Sequence, residues 1–551
     1  MTSEGPTCAP GRVAGSRTEP PAGTAAFPAT LRRVRDGARF CGLFALPAGR
    51  DGVRLVAVVS DHGELLVEQE AVAAGAVAAG AGAAGTNATG TGAAGTNATG
   101  TNATGTGAVG TGAVGTNQGR YASLTPAIPA AGWYERRIRD LFGIEPAGHP
   151  RLDPLVLPVP PGSHAPLGPG GDPTARITPD LAPLPSHVHG EGVFTVPYGP
   201  VRSGVFEAVE YLIETSGEDV SHVRTRIFYK HRGVESRFVG ASVEDGALLA
   251  ERVEGVASVA HAMAFCAAVE ELGGVHVPLQ SMLVRVVHAE LERVANHLET
   301  MVRHTEAAGQ AVAYAVLSHH KERVQRLRAQ LCGSRFGRGV VVPGGVTGPL
   351  GLPPADVLRA VGAIQHAIDR DVDRLMDTPS FVDRLRGTGV LSRDEARRFA
   401  VVGPVGRASG QAEDVRTSRP YCAYGRLGLP VAERHEEGDA LARQQVRIAE
   451  IAGAFHLVRQ AVDELDELGH PASWRTTVPS VSGMAIGWAE APQGELLSLV
   501  EAEGGRLTHV TQRSASFHNL AAYPSAFPKD VFTDVAFVEA SFGLSIAGAA
   551  C

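Results

Sequence analysis

The chain has 551 residues, 44% of them hydrophobic and 20% charged, with a formal charge of −8. That is the composition of a globular protein long enough for several domains and a sizeable core, and without the basic excess of a nucleic-acid binder. The basic residues are dispersed, as in Arg323-Val324-Gln325-Arg326-Leu327-Arg328, which reads as a solvated helix face. None of the six cysteines (Cys8, Cys41, Cys266, Cys332, Cys422, Cys551) forms a C-x-x-C pair, so the chain is not expected to hold a zinc or iron–sulfur site on its own thiolates.

The first 28 residues read as a disordered tail rich in Gly, Pro, Thr and Glu. They lack the apolar stretch of a signal peptide, which points to the cytoplasm and reduced thiols. No run of strongly apolar residues is long enough to suggest a transmembrane helix. Phe40–Leu46 and Val53–Val59 are β-type runs joined by Gly49-Arg50-Asp51-Gly52, a predicted hairpin. Residues 71–117 repeat G-T-N-A-T and G-T-G-A-V and read as a flexible insert. Trp133–Ile144 is a short amphipathic helix stopped at Gly143, followed by Gly148-His149-Pro150. Residues 156–187 are Pro- and Gly-rich and read as a linker. Two or three strands and a helix entry are expected over 188–237. A long helix from Pro278 is the clearest element: Leu279, Met282, Leu283, Val286, Val287, Leu291, Val294, Leu298 and Met301 recur at three- and four-residue steps, with charged residues opposite. Further helices are expected over about 313–333, 354–373 and 440–465.

Several segments carry a resemblance. Trp133-Tyr134-Glu135-Arg136-Arg137-Ile138-Arg139-Asp140-Leu141-Phe142-Gly143-Ile144 with the G-H-P that follows resembles the small peripheral-arm subunit of respiratory complex I. From Val188 onward, ordered motifs resemble the large subunit of membrane-bound nickel–iron hydrogenases and its homologue, the quinone-binding subunit of complex I. They are Tyr198-Gly199-Pro200, Tyr229-Lys230-His231-Arg232-Gly233, Glu290 to Leu298, Pro343-Gly344-Gly345-Val346, and Gly403 to Gly410 with Asp414, Arg416, Pro420 and Tyr421. The resemblance implies an α+β chain. A small α/β domain (29–155) with its insert precedes a linker (156–187) and a mainly helical domain with a small β-hairpin region (188–551). Such fused chains resemble subunits of formate hydrogenlyase and hydrogenase-4-type complexes. This implies an oxidoreductase subunit on the cytoplasmic face of a membrane. Its partners would be an iron–sulfur small subunit and antiporter-like membrane subunits. The alternative is a non-catalytic scaffold.

The family's hydrogenases hold their metals with E-R-x-C-G-x-C and D-P-C-x-x-C. Here Glu254, Ala257, Ser545 and Gly548 stand at the four thiolate positions. A nickel–iron centre needs soft thiolates, so it is expected to be absent, and neither Cys266 nor Cys551 rebuilds it. In the complex I branch the proton donors to the quinone align with Ser203 and Gly255, and a helix Asp aligns with Ala307. The usual donors are therefore missing, and the implied acceptor is a quinone-like or an unknown one. No G-x-G-x-x-G follows a strand, so NAD(H) is not expected to bind this chain. The polar candidates for the remaining cavity are Arg202, Glu251, Arg252, Glu254 and His261, with His297 behind them and Glu254 as proton carrier. The bland counterpart is that Glu251 and Glu254 form ion pairs with Arg202 or Arg252, and that Asn296 and His297 satisfy neighbours inside a helical bundle. His187 and His189 form a His-x-His pair more in keeping with solvated side chains than with a metal site.

Overall fold

The computed structural model describes residues 26–49, 52–73, 119–158, 165–169, 171, 190, 192–202, 207–430 and 434–551. His187, His189, Ser203 and most of the low-complexity insert lie outside the described residues. The described residues open with α1 (Pro28–Arg35) and an antiparallel meander, β1 (Arg39–Pro47), β2 (Gly52–Asp61) and β3 (Glu64–Ala73). The predicted hairpin is present, with Phe44 opposite Val56. Strand β3 runs to Ala73, three residues into the segment read as insert. β4 (Arg120–Ala122) and β5 (Glu145–Ala147) pair in parallel around α2 (Gly132–Phe142).

Helix α2 ends where the sequence says. Gly143 is left-handed, at φ 72°, and its N–H donates to the Arg139 carbonyl. Four of its charged residues, Glu135, Arg136, Arg137 and Asp140, are however buried. Glu135 accepts from the Leu124 N–H at 2.8 Å and the Ser123 hydroxyl at 2.6 Å. Asp140 accepts from the N–H groups of Leu155, Val156 and Leu157. Val156 and Leu157 are themselves buried, so the first residues of the predicted linker are part of the core. Arg137 reaches Glu235 at 2.7 Å. One apolar core contains Phe40, Tyr134 and Ile138 together with Phe517, Tyr523, Val538 and Ile546. The small N-terminal unit and the C-terminal segment are thus packed on each other.

The second part begins with the meander β6 (Val193–Tyr198), β7 (Glu210–Ser216) and β8 (Asp219–Arg226). Helices α3 (Val234–Phe238), α4 (Val243–Ala250) and α5 (Ser258–Gly273) follow, then α6 (Leu279–Ala307) and α7 (Ala311–Cys332). The Pro343–Val346 turn closes a two-stranded hairpin of β9 (Val341–Val342) and β10 (Gly345–Val346). α8 (Pro354–Met376) completes the first helical layer. Short helices α9 (Pro379–Leu385), α10 (Arg393–Arg398), α11 (Gly403–Ala408) and α12 (Val415–Ser418) lead to the long α13 (Ala440–Leu468). Next comes an antiparallel sheet that the sequence did not announce, β11 (Gly483–Ala491), β12 (Gly494–Glu503) and β13 (Arg506–Arg513). It lies against α5, close enough that Gly487 touches the backbone of Ala264 and Ala268. α14 (Ala515–Leu520), α15 (Val535–Phe542) and α16 (Ile546–Ala549) end the chain. Among the described residues no helix is long and apolar enough to cross a membrane.

The polar side of α6 differs from its expected role. Glu299, bonded to Arg303 and Lys321, is partly exposed, but Glu290, Arg293 and His297 are buried. They enter a network of charges drawn from four other elements or their flanks. Glu450 of α13 accepts from Arg407 of α11 at 2.6 Å and lies 2.8 Å from His297 Nε2. Glu290 accepts from Arg293 at 3.1 Å, Arg416 at 3.1 Å and the Tyr424 hydroxyl at 2.6 Å. Glu490 of β11 accepts from Arg407 at 3.1 Å and from the Val415 N–H at 3.2 Å. Arg328 is also buried, paired with Glu292, so its stretch of α7 is not the solvated face expected.

This network titrates. Burial, then the Asp414 charge, raise the Glu490 carboxyl from 4.5 to about 7, against the pull of Arg407. The folded chain therefore keeps a proton over an interval in which the unfolded chain has released it. The stability that this contributes is present at acid pH and is lost as pH rises through about 7. Glu490→Gln retains an acceptor for Arg407 and Val415 but removes that equilibrium. The melting temperature of the native chain should accordingly fall relative to Glu490→Gln between about pH 5 and about pH 8. A difference that stays constant over that range would contradict this assignment.

Candidate functional site

Two arms of chain meet at the site. The first is the turn 251–257 between α4 and α5, with Ala257 as the residue before α5. Helix α5 is anchored there by Glu292 of α6, which accepts from the N–H groups of Val259 at 2.9 Å and Ala260 at 3.1 Å. The second arm runs from Gly543, left-handed at φ 62°, through Ser545 into α16. The Ser545 hydroxyl accepts from the Gly548 N–H at 3.2 Å, and the Gly548 carbonyl accepts from Ser514 at 2.8 Å. Glu207 holds the same arm by accepting from the N–H groups of Ile546 and Ala547. The Arg232 guanidinium joins the arms, donating to the carbonyls of Val253 on one side and Ala547 on the other.

Glu254 fills the space between the arms. Its Oε1 is 3.1 Å from His261 Nε2, and His261 Nδ1 is 2.7 Å from Gln512 Oε1. Glu254 and His261 are 3% and 0% exposed, so no water shell replaces these bonds. The other carboxylate oxygen, Oε2, has no hydrogen-bond partner among the described residues. It lies against Gly548: a Cβ on that residue would sit 2.8 Å from Glu254 Cδ and closer still to Oε2. Two of the four positions that resemble thiolate ligands are therefore in contact as a carboxylate and a bare glycine.

A nickel–iron centre does not fit this donor set. Ala257 offers a methyl group, Gly548 has no side chain, the Ser545 oxygen is occupied as a helix cap, and Glu254 is a hard oxygen donor already bonded to His261. A quinone finds no acid at Gly255, which is exposed and has no side chain to give.

The structure brings together only part of the predicted set. Arg202 is elsewhere, paired with Glu539 at 2.6 Å and set over the rings of Tyr198 and Tyr211. It pairs with neither Glu251 nor Glu254. Glu251 does meet Arg252, at 2.5 Å, and its other oxygen accepts from the Gly339 N–H at 2.7 Å. Arg252 is half exposed. His297 belongs to the Glu450 network, and burial pushes its pKa down to about 4. The six candidates thus do not line one cavity: Glu254 faces His261, Glu251 pairs with Arg252, and Arg202 and His297 lie apart. The sequence reading missed Glu207, Glu292 and Gln512. No local motif marks them, since each acts on a partner at least 32 residues away. Burial, with the Glu254 charge adding to it, raises the Glu207 carboxyl against its two backbone bonds. His231, beside Arg232, is pushed down to about 4, chiefly by burial.

The relatives of this two-part chain are subunits of oxidoreductase complexes. The family described as respiratory-chain NADH dehydrogenase, 30 Kd subunit, matches residues 109–168, and the one described as the 49 Kd subunit matches residues 308–485. Formate hydrogenlyase subunit 5 of Escherichia coli is 29% identical over 388 residues, covering 69% of this chain and 68% of the relative. The carbon monoxide-induced hydrogenase of Rhodospirillum rubrum is 30% identical over 313 residues, covering 56% of this chain and 86% of the relative. A fused NADH-quinone oxidoreductase chain of Acidiphilium cryptum is 26% identical over 417 residues, covering 70% of each. The chain belongs to the family shared by membrane-bound hydrogenase large subunits and the 49 Kd-type subunits of complex I.

The contact between Glu254 and Gly548 is directly testable. Gly548→Ala should destabilise the chain by about 1–3 kcal/mol through overpacking. Pairing it with Glu254→Ala should recover much of that loss, because the added methyl then has room. Denaturant midpoints of the two single variants and the double variant give the coupling, and additive losses would contradict the contact.

Proposed function

We propose that this chain is the fused peripheral subunit of a hydrogenase-4-like or complex I-like membrane assembly, holds no nickel–iron centre, and passes electrons from an iron–sulfur partner to a quinone-like acceptor. Its place is the cytoplasmic face of the membrane, on antiporter-like membrane subunits. NADH would be oxidised elsewhere in the assembly, since this chain has no dinucleotide fingerprint. The observation that carries the reading is Glu254: a carboxyl group has taken a ligand position and is buried on His261. Reducing a quinone to a quinol takes two electrons and two protons. The electrons would come from the partner, and Glu254 would supply a proton on its own side of the acceptor. Arg232 and Glu207 would hold the two arms in place while this happens.

The second reading is a non-catalytic scaffold. The absence of any side chain at Gly255 and the occupied Ser545 favour it. Quinone-reductase assays of the purified complex, native and Glu254→Ala, separate the two. Activity that falls by roughly a hundredfold or more in the variant, as the loss of a positioned proton donor gives, supports a proton-carrying Glu254. No activity in either supports the scaffold. Stoichiometric nickel in the native complex would overturn both readings.

A further inference from the structure

We infer that the groove between α7 and α8 is a binding site for a phosphate monoester, its phosphate held by Arg323, Arg370 and His319 and its apolar part laid on Ala315, Val316 and Ala367. The groove encloses about 400 Å3 and is open to solvent. That volume lies within the range of small-ligand sites, roughly 300–1,000 Å3. None of its lining residues belongs to either arm of the Glu254 site, so the two sites are independent. The three small or short side chains leave the room. Val312, 79% exposed, lies three residues before Ala315 and therefore on the same face of α7, where it extends the apolar track outward.

The charges around the groove are unbalanced. Arg323 is half-buried and donates to the Ala363 carbonyl at 3.2 Å, and among the described residues it pairs with no carboxylate. The acids nearby on α7 and α6 are taken, Glu322 by Arg326 and Arg335, and Glu299 by Arg303 and Lys321. On α8, Asp371 accepts from Arg370 at 3.0 Å, from Arg374 at 3.1 Å and from His320 Nε2 at 2.9 Å. Arg370 above all, with His320, holds this carboxyl down to about 2 against burial, so it stays ionised. Asp369, near Asp373, His366 and Arg459, does not line the groove. Three guanidiniums therefore stand against one carboxylate. A guanidinium offers five N–H groups in a fork that fits phosphate. Arg370 spends Nε and Nη2 on Asp371, and Arg323 spends Nη2 on Ala363, so each keeps N–H groups for a ligand. His319 is exposed beside them.

His320 selects among oxyanions. It lines the groove, is 3% exposed, and its Nδ1 has no hydrogen-bond partner among the described residues. An ionised carboxylate only accepts, so the imidazole hydrogen sits on Nε2, toward Asp371. Burial, chiefly, pushes the imidazole toward its neutral form, which leaves Nδ1 a bare acceptor in the groove wall. The ligand that completes the site brings an O–H together with its negative charge. A phosphate monoester takes up its second proton at about pH 6 and so presents that O–H. Sulfate and an ionised carboxylate bring none.

The test is calorimetric titration of the full chain at about pH 6, with butyl phosphate and sulfate as probes. Butyl phosphate should bind saturably at one site, and sulfate at least roughly tenfold more weakly, because it leaves Nδ1 unpaired. Arg323→Gln keeps an amide N–H for the Ala363 carbonyl and should weaken butyl phosphate at least roughly tenfold. His320→Gln keeps an N–H for Asp371 but has no acceptor in place of Nδ1, and should bring butyl phosphate down to the sulfate level. Should either variant fail to fold, His319→Ala, at an exposed position, should still weaken butyl phosphate. Phosphatidylcholine vesicles carrying phosphatidic acid distinguish the two sources of such a group. Sedimentation of the chain with them, reversed by butyl phosphate, assigns the site to a lipid headgroup. Saturable butyl phosphate binding without sedimentation assigns it to a soluble ester. No saturable binding in either arm, or undiminished binding by folded Arg323→Gln, would overturn the site. Equal affinity for sulfate would overturn the choice of phosphate.

Discussion

The network around Glu450 is the constraint on which the helical part depends. Glu450 sits on α13, between Arg407 of α11 and His297 of α6, with Arg293 also within reach at 3.5 Å. Through Arg407 the connection continues to Glu490 on β11, and through Arg293 and Glu290 to Arg416 on α12. One set of charges therefore holds α6 and α13, the loop region between them and the C-terminal sheet. Ion pairs of this kind add little compared with a well-packed apolar core. Removing one member, however, leaves another charge buried and alone, at a cost of about 3–5 kcal/mol. The network thus fixes which surfaces may meet more than it adds to stability.

A second charge cluster extends the same logic to the N-terminal part. Glu495 on β12 accepts from Arg39 on β1 and from Arg419 and Arg513. Tyr134 on α2 meets His518 on α14 at 2.7 Å. These contacts set the C-terminal segment against the small unit and so fix the direction from which the second arm approaches the first. The closure at Glu254 follows from the frame: α5 is held by Glu292 and the sheet carrying Gln512, and the last residues are held by Glu207 and Ser514. Between the two arms stands a carboxyl group. The frame does not need metal ligands, because Glu207, Glu292, Gln512 and Ser514 build it from outside the four thiolate positions.

Much of this frame was legible in the sequence. The hairpin of β1 and β2 follows from two apolar β-type runs around a Gly-containing turn, and α2 from an amphipathic run stopped by Gly143. Helix α6 follows from its apolar period, and α7, α8 and α13 lie where helices were expected. The sheet of β11 to β13 was not legible. β11 and β12 are buried over most of their length, so their residues show a nearly continuous apolar run in place of alternation. The burial of Glu290 and Arg293 was also hidden, because their partners Arg416 and Glu450 lie 126 and 157 residues further along the chain. His297 was read as a side chain that satisfies a neighbour inside the helical bundle, and the fold identifies that neighbour as Glu450. At the site, the motif positions identified Glu254 and Gly548. Only folding shows that they touch, that Arg202 has left for Glu539, and that His261 is the side chain on which the Glu254 carboxylate rests.

Whether a carboxyl group, and not a metal, occupies the gap between the two arms can be measured directly. The measurement is an electron-density map of the purified assembly at side-chain resolution, with anomalous data at the nickel edge. The expected result is density joining Glu254 to His261, the carboxylate against Gly548, and no anomalous peak between the arms. A nickel peak in that gap, with Glu254 turned away from His261, would contradict it.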